Sequence, residues 1–289
     1  GFFYAGDMML KLFHVDIEQA VIRSIKISTD SDVSIFDLNT VLSKIERLLM
    51  LLDGRFIQLK EMKFSESDVF SNDSLIPCAQ NLIAQRSSYF CSADFCKNAS
   101  YRLIDFENVF TPDLFSKWDD LLDELGVVHQ MFLYSVSDSK ITIDVKCAFL
   151  VELAEPIVEV VKERTYYFAS LEPGSRGTTL KNCLDALIIK YGKEIFNKEL
   201  SSSQYNQFLN VLVNSRVNIM HVKRNQRKPA LNGKQSCLYA QKLSLLYRKI
   251  LFELLQINDS LYLEKLKHCV LNLDNWNSIS DDFLSWLSK

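Results

Sequence analysis

Residues 204–227 contain no glycine, no proline and no acidic residue, and nothing in them interrupts a helix. Each helical residue advances about 100° around the axis. With Arg216 at zero, Leu209, Leu212, Val213, Val217, Ile219 and Met220 fall on both sides of it. Gln207, Asn210, Asn214, Asn218, His221 and Asn225 gather on the far side. The arginine therefore stands within an apolar arc, and the histidine stands on a stripe of neutral hydrogen-bonding groups. A lone guanidinium facing a core or an interface is too costly to leave unpaired. One reading is a structural arginine held by a carboxylate of a neighbouring helix; the other is a working arginine beside a working histidine.

Charge separates this region from the rest. Residues 200–252 hold no Asp or Glu but nine cations: Arg216, Lys223, Arg224, Arg227, Lys228, Lys234, Lys242, Arg248 and Lys249. All 36 acidic residues and 24 of the 33 cations lie elsewhere. A basic segment on an acidic protein suits a polyanion, whereas a merely solvated helix face mixes both signs in i,i+4 pairs.

With 8 Gly and 5 Pro in 289 residues, the composition argues against a β-sandwich and against disorder. The length suffices for two compact units. No apolar run approaches a membrane span and no signal peptide is visible, so a cytoplasmic location and no membrane partner are expected. Seven scattered cysteines suit a reducing compartment better than a disulfide frame. Cys78, Cys91 and Cys96 are too loosely spaced for zinc without a fourth ligand nearby, and His14, His129, His221 and His268 are dispersed, so no metal or cofactor is expected. The chain opens on Gly1 rather than Met, which suits either a fragment with a portion upstream or a tag scar.

In order, residues 8–28 alternate and predict strands. A helix over 32–53 carries Leu38, Val41, Leu42, Ile45, Leu48, Leu49 and Leu52 on one stripe, with Gly54 as its stop. Residues 56–64 alternate again. Turn-rich residues follow. Thr111 and Pro112 open a helix that ends at Gly126. A second covers about 127–136, and a third runs from about 141 through 161, kinked by Pro156, with Glu152 at the edge of its apolar face. Residues 179–192, the motif helix, about 234–256 and a short last piece complete the helices. The fold class expected is mainly α: an antiparallel bundle over residues 112–289, preceded by a smaller α+β segment over 1–70 and a mixed linker over 71–111.

The spacing Arg216-x4-His221, with Asn218 inside it, resembles the Arg-x4-6-His motif of HEPN domains, a family of helical bundles that includes many ribonucleases. Residues 212–221 are similar to the ApeA-like branch, although Val217 stands where an Asn is usual. Residues 179–192 resemble the helix that precedes the motif helix there. Asp53-Gly54 and its surroundings resemble the end of the accompanying N-terminal domain. The resemblance covers about 112–257, and 30–65 more loosely.

It implies a metal-independent endoribonuclease cutting cellular RNA at a composite site shared by two motif helices in a homodimer, in bacterial anti-phage defence by abortive infection. In that reading Arg216 clamps phosphate, His221 is the acid or base, and Asn218 orients the imidazole or the ribose. Lys223, Arg224, Arg227 and Lys228 hold the RNA backbone. Glu152 is the first candidate to pair with Arg216, and Tyr239 either stacks a base or fills the core. The alternative is a non-catalytic HEPN module that binds nucleotide, RNA or protein. The residues name neither the RNA cut nor any phage-derived trigger.

Overall fold

The computed structural model describes residues 3–4, 13–19, 23–30, 33–54, 102–137, 141–173, 179–220 and 228–288. The expected strand over 56–64, Cys78, Cys91 and Cys96 lie outside them. The protein is mainly helical. Strands β1 (Phe3–Tyr4), β2 (Phe13–Gln19) and β3 (Arg23–Thr29) form an antiparallel sheet in that order. The register pairs Val15 with Ile27 and Ile17 with Ile25. Ile27 packs against the helical core.

Helix α1 (Ile35–Asp53) begins where the Ser34 hydroxyl accepts from the Asp37 N–H, and it ends at Gly54 in the left-handed region, φ 67°. The sequence groups this helix with the strands, yet Val41, Ile45, Leu48, Leu49 and Leu52 are buried in the same hydrophobic cluster as the helices downstream. The Trp118 indole donates to the Lys44 carbonyl at 2.8 Å, and the Lys44 ammonium pairs with Asp119. The fully buried Arg248 donates from Nε to Leu51 O at 2.7 Å and from Nη2 to Leu52 O at 2.6 Å. These are the open carbonyls of the helix end, whose partial negative charge suits a cation. A Cβ on Gly54 would meet Arg248 Nη1 at 2.2 Å, so a larger residue would displace the anchored guanidinium, and the left-handed φ favours glycine as well. Residues 102–105 close the same corner: Leu103 N–H donates to Leu52 O at 3.3 Å and Arg102 Nε to Asp53 at 3.0 Å. Leu103, Ile104 and Phe106, in the stretch read as linker, are core residues.

Helices α2 (Pro112–Leu125), α3 (Val127–Val136), α4 (Ile143–Glu152), α5 (Ala154–Lys162), α6 (Leu180–Tyr191), α7 (Asn197–Ser201), α8 (Tyr205–Met220), α9 (Gly233–Leu254), α10 (Leu263–Asp274) and α11 (Ile279–Leu287) follow. Thr111, Thr179 and Asn232 cap α2, α6 and α9, the last two as capping boxes with Asn182 and Gln235. The single kinked helix expected over 141–161 is two helices, broken at Leu153. Pro156 has no N–H to return to the Glu152 carbonyl, so the ladder stops there and Glu152 becomes the last residue of α4. Helix α4 packs against α3, α8 and α9, and α9 runs through the centre.

Candidate active site

Helix α8 is the motif helix. Phe208, Leu209, Val211, Leu212 and Ser215 are buried, whereas Val213, Asn214, Arg216, Val217, Asn218 and Ile219 are half-buried. Asn206, Gln207, Asn210 and Met220 are exposed, Met220 by 44%. The apolar arc read from the sequence thus straddles the core boundary. One flank enters the bundle; the other, with Val213, Val217 and Met220, lies on the outer face among neutral amides. Arg216 stands on the line between them.

The break after Glu152 and the packing of α4 on α8 bring the two charged residues together. Arg216 donates from Nη2 to Glu152 Oε1 at 2.7 Å and from Nε to Oε2. The geometry is bidentate, which fixes the guanidinium plane as well as its position. Side-chain exposures of 20% and 29% leave the pair within reach of solvent at the helix edge.

Asn218 is committed to the backbone: its Nδ2 donates to Lys228 O at 3.1 Å. Ser215, which the sequence reading did not single out, donates from Oγ to Val211 O at 2.7 Å and accepts from the Leu231 N–H at 2.8 Å. Its signal was present, because a hydroxyl stood on the wheel among Phe208, Val211, Leu212 and Ile219. His221, Lys223, Arg224 and Arg227 lie outside the described residues.

The basic segment divides in two. The Lys242 ammonium is fully buried, 2.7 and 3.0 Å from the two Glu199 oxygens. Asp274 Oδ1 stands 2.7 Å from the same ammonium, at an angle that makes it an ion pair rather than a hydrogen bond. Lys249 pairs with Glu194 at 2.7 Å, and Arg248 caps α1. These three cations build the core and are closed to a ligand. Lys228 and Lys234 are exposed and have no carboxylate partner among the described residues. Tyr239 fills the core: its ring lies 5.1 Å from Phe208 and 5.4 Å from Phe283, and it has no free face for a base. Burial first, and Glu199 second, hold its hydroxyl far above the ordinary phenol range.

Two other candidate groups are structural. His129 is buried edge-on to Trp118, with Nδ1 3.2 Å from the Tyr247 hydroxyl. Burial, then the nearby Arg47 charge, pushes its pKa down to about 3, so the ring is neutral. Burial pushes the Cys147 thiol up to about 12, which makes it no nucleophile at neutral pH. Among the described residues no three His, Cys, Asp or Glu side chains converge as a metal site requires, and no described helix is long and apolar enough to cross a membrane. Compared with known proteins, the chain matches no family model, no curated protein and no solved structure.

Proposed function

We propose that this chain is a HEPN-type endoribonuclease of the ApeA-like kind, acting without a metal and as a homodimer through α8. The observation that carries the reading is the bidentate Glu152–Arg216 pair at the edge of a helix face that is otherwise uncharged. Charged residues make up 24% of the chain, so an outer face built from Gln207, Asn210, Val213, Asn214, Val217 and Met220 stands out as one suited to a partner surface. A second copy seated there about a two-fold would bring two copies of Arg216 to one groove.

The chemistry asked of the site is modest. The ribose 2′-OH attacks the adjacent phosphorus, the P–O5′ bond breaks, and a 2′,3′-cyclic phosphate and a 5′-OH result. One base takes the 2′ proton and one acid gives a proton to the leaving 5′ oxygen, work that a histidine does near neutral pH. His221 is assigned that role. Arg216, its plane held by Glu152, is assigned the charge that builds on the phosphate oxygens. Asn218 serves by anchoring the chain that returns at Lys228, and Lys228 lies along the RNA backbone with Lys223, Arg224 and Arg227. Cellular RNA as substrate, abortive anti-phage defence and a cytoplasmic location complete the proposal.

The second reading, a non-catalytic module for nucleotide, RNA or protein, is favoured by the same ion pair, since a structural arginine is held in this way too. Incubating RNA with the protein in EDTA separates them. Ribonuclease action predicts cutting with 2′,3′-cyclic ends that is lost in both His221→Ala and Arg216→Ala. Activity that needs magnesium, or that survives His221→Ala, leaves the binding module in front.

A further inference from the structure

Three fixed points follow one another after the motif helix. The Lys228 carbonyl accepts from Asn218 Nδ2 at 3.1 Å. The Leu231 N–H donates to Ser215 Oγ at 2.8 Å. Asn232 and Gln235 then close the capping box of α9, with Gln235 Oε1 accepting from Asn232 N–H at 2.9 Å and Asn232 Oδ1 from Gln235 N–H at 3.0 Å. Between the first two lies Pro229, which fixes its own φ and disfavours helical backbone at Lys228. Residues 228–232 are therefore a strap stitched to the last turns of α8 and to the first turn of α9. A serine inside a helix ordinarily satisfies its hydroxyl on the carbonyl four residues back. Ser215 does this with Val211 and uses its acceptor side on the strap. The serine is buried and its bond to the strap is partly buried, so solvent competes for that bond only weakly.

What the strap presents is Lys228, whose side chain is exposed and without a carboxylate partner among the described residues. Most cations of the helical region answer to an acid or a carbonyl; this one is held at its backbone and left open at its tip. A cation whose backbone is fixed beforehand meets a phosphate with less ordering cost than one on a loose chain.

We propose that Ser215 is a positioning residue for polyanion binding: through the Leu231 N–H it sets Lys228 as a preformed contact for a phosphate of single-stranded RNA. The proposal rests on the ribonuclease reading and names a part of that site which the Arg-His spacing does not contain.

The test is binding of a fluorescein-labelled single-stranded 2′-O-methyl RNA, which lacks the nucleophilic hydroxyl, measured by anisotropy from 0.05 to about 0.3 M salt. One lost phosphate contact on a single strand lowers the slope of log K against log salt by about 0.7, equivalent to ~fivefold in affinity at 0.1 M. Lys228→Ala, a surface change that spares the fold, is expected to show that loss. Ser215→Ala is expected to show the same loss, the double variant no more than either single, and Ser215→Thr, which keeps the hydroxyl, to regain the wild-type slope. A purely structural serine would lower the melting temperature and leave the slope alone. Wild-type binding with a slope unmoved by Lys228→Ala or by Ser215→Ala overturns this inference and leaves the ribonuclease reading standing, as do additive losses in the double variant. A wild-type protein that does not bind the oligonucleotide overturns both.

Discussion

Glu152 and Arg216 lie 64 residues apart in sequence and meet carboxylate to guanidinium, joining the last residue of α4 to the fourth turn of α8. Neither side chain is fully buried, and that sets the size of what their loss does.

Arg216→Ala strands a partly exposed carboxylate rather than a sealed one. The expected destabilisation is about 1–2 kcal/mol, below the ~3–5 kcal/mol of a fully buried pair. Glu152→Gln keeps the shape and some of the hydrogen bonding and should cost less. Urea unfolding of the two singles and the double measures the coupling, expected near 1 kcal/mol. A coupling of zero would show that the pair contributes nothing to folding, and cleavage by Glu152→Gln equal to wild type would remove Glu152 from the site.

The outer face of α8 makes the dimer testable without RNA. Val217→Asp places a charge on the half-buried apolar stripe without entering the core. It should weaken association by at least tenfold while changing stability by under about 1 kcal/mol, since it lies away from buried features. Sedimentation across micromolar concentrations checks it. Wild-type protein that stays monomeric throughout removes the composite site from the proposal.

Acid should loosen the junction between α1 and the bundle. The folded His129 resists protonation down to about 3, whereas an unfolded histidine takes its proton near 6.5. Between those values the unfolded chain binds more protons, so stability falls as pH drops below 6.5. The slope approaches 1.4 kcal/mol per pH unit. Arg47 and Tyr247 face the ring, and neither offers it a negative charge near neutral pH. His129→Phe should flatten the melting-temperature profile between about pH 6.5 and 5, before most carboxylates titrate. An unchanged acid limb would assign the effect to other groups.

Lys242→Met removes the cation that pairs with two buried carboxylates, Glu199 and Asp274. The expected cost is about 3–5 kcal/mol, with the carboxy-terminal helices α10 and α11 loosened first, because Asp274 belongs to α10 and Ser280 of α11 touches Glu199 at 3.5 Å. Hydrogen exchange reads this directly. Uniform loss of protection over the whole chain would show one cooperative unit instead.

The caps and stops at Thr111, Gly126 and Gly54 were legible because each acts within four residues of itself. So was the need of Arg216 for a carboxylate, since the wheel alone placed a charge in an apolar arc. The break at Leu153 was missed by a few residues: a proline reads as a kink unless the packing of both halves is known. The burial of Lys242 and Arg248 was not legible at all. Their partners stand 43 and 197 residues away, and a periodic pattern reports which face a residue is on, not what waits there. Composition therefore overstated the polyanion surface by counting core cations with exposed ones.

The grip of Arg248 on the end of α1 has a consequence for how the chain is made. The guanidinium and the Leu51 carbonyl it binds are separated by 197 residues. A ribosome adding about 5–20 residues per second delivers Arg248 some 10–40 s after α1 has been synthesised. Through that interval the open carbonyls at the end of α1 lack their buried donor, although α2, against which α1 packs, is made much earlier. The nascent protein thus spends most of its synthesis with the carboxy-terminal end of α1 unfinished. The junction of α1 with the bundle is therefore completed only after the motif helix has been made.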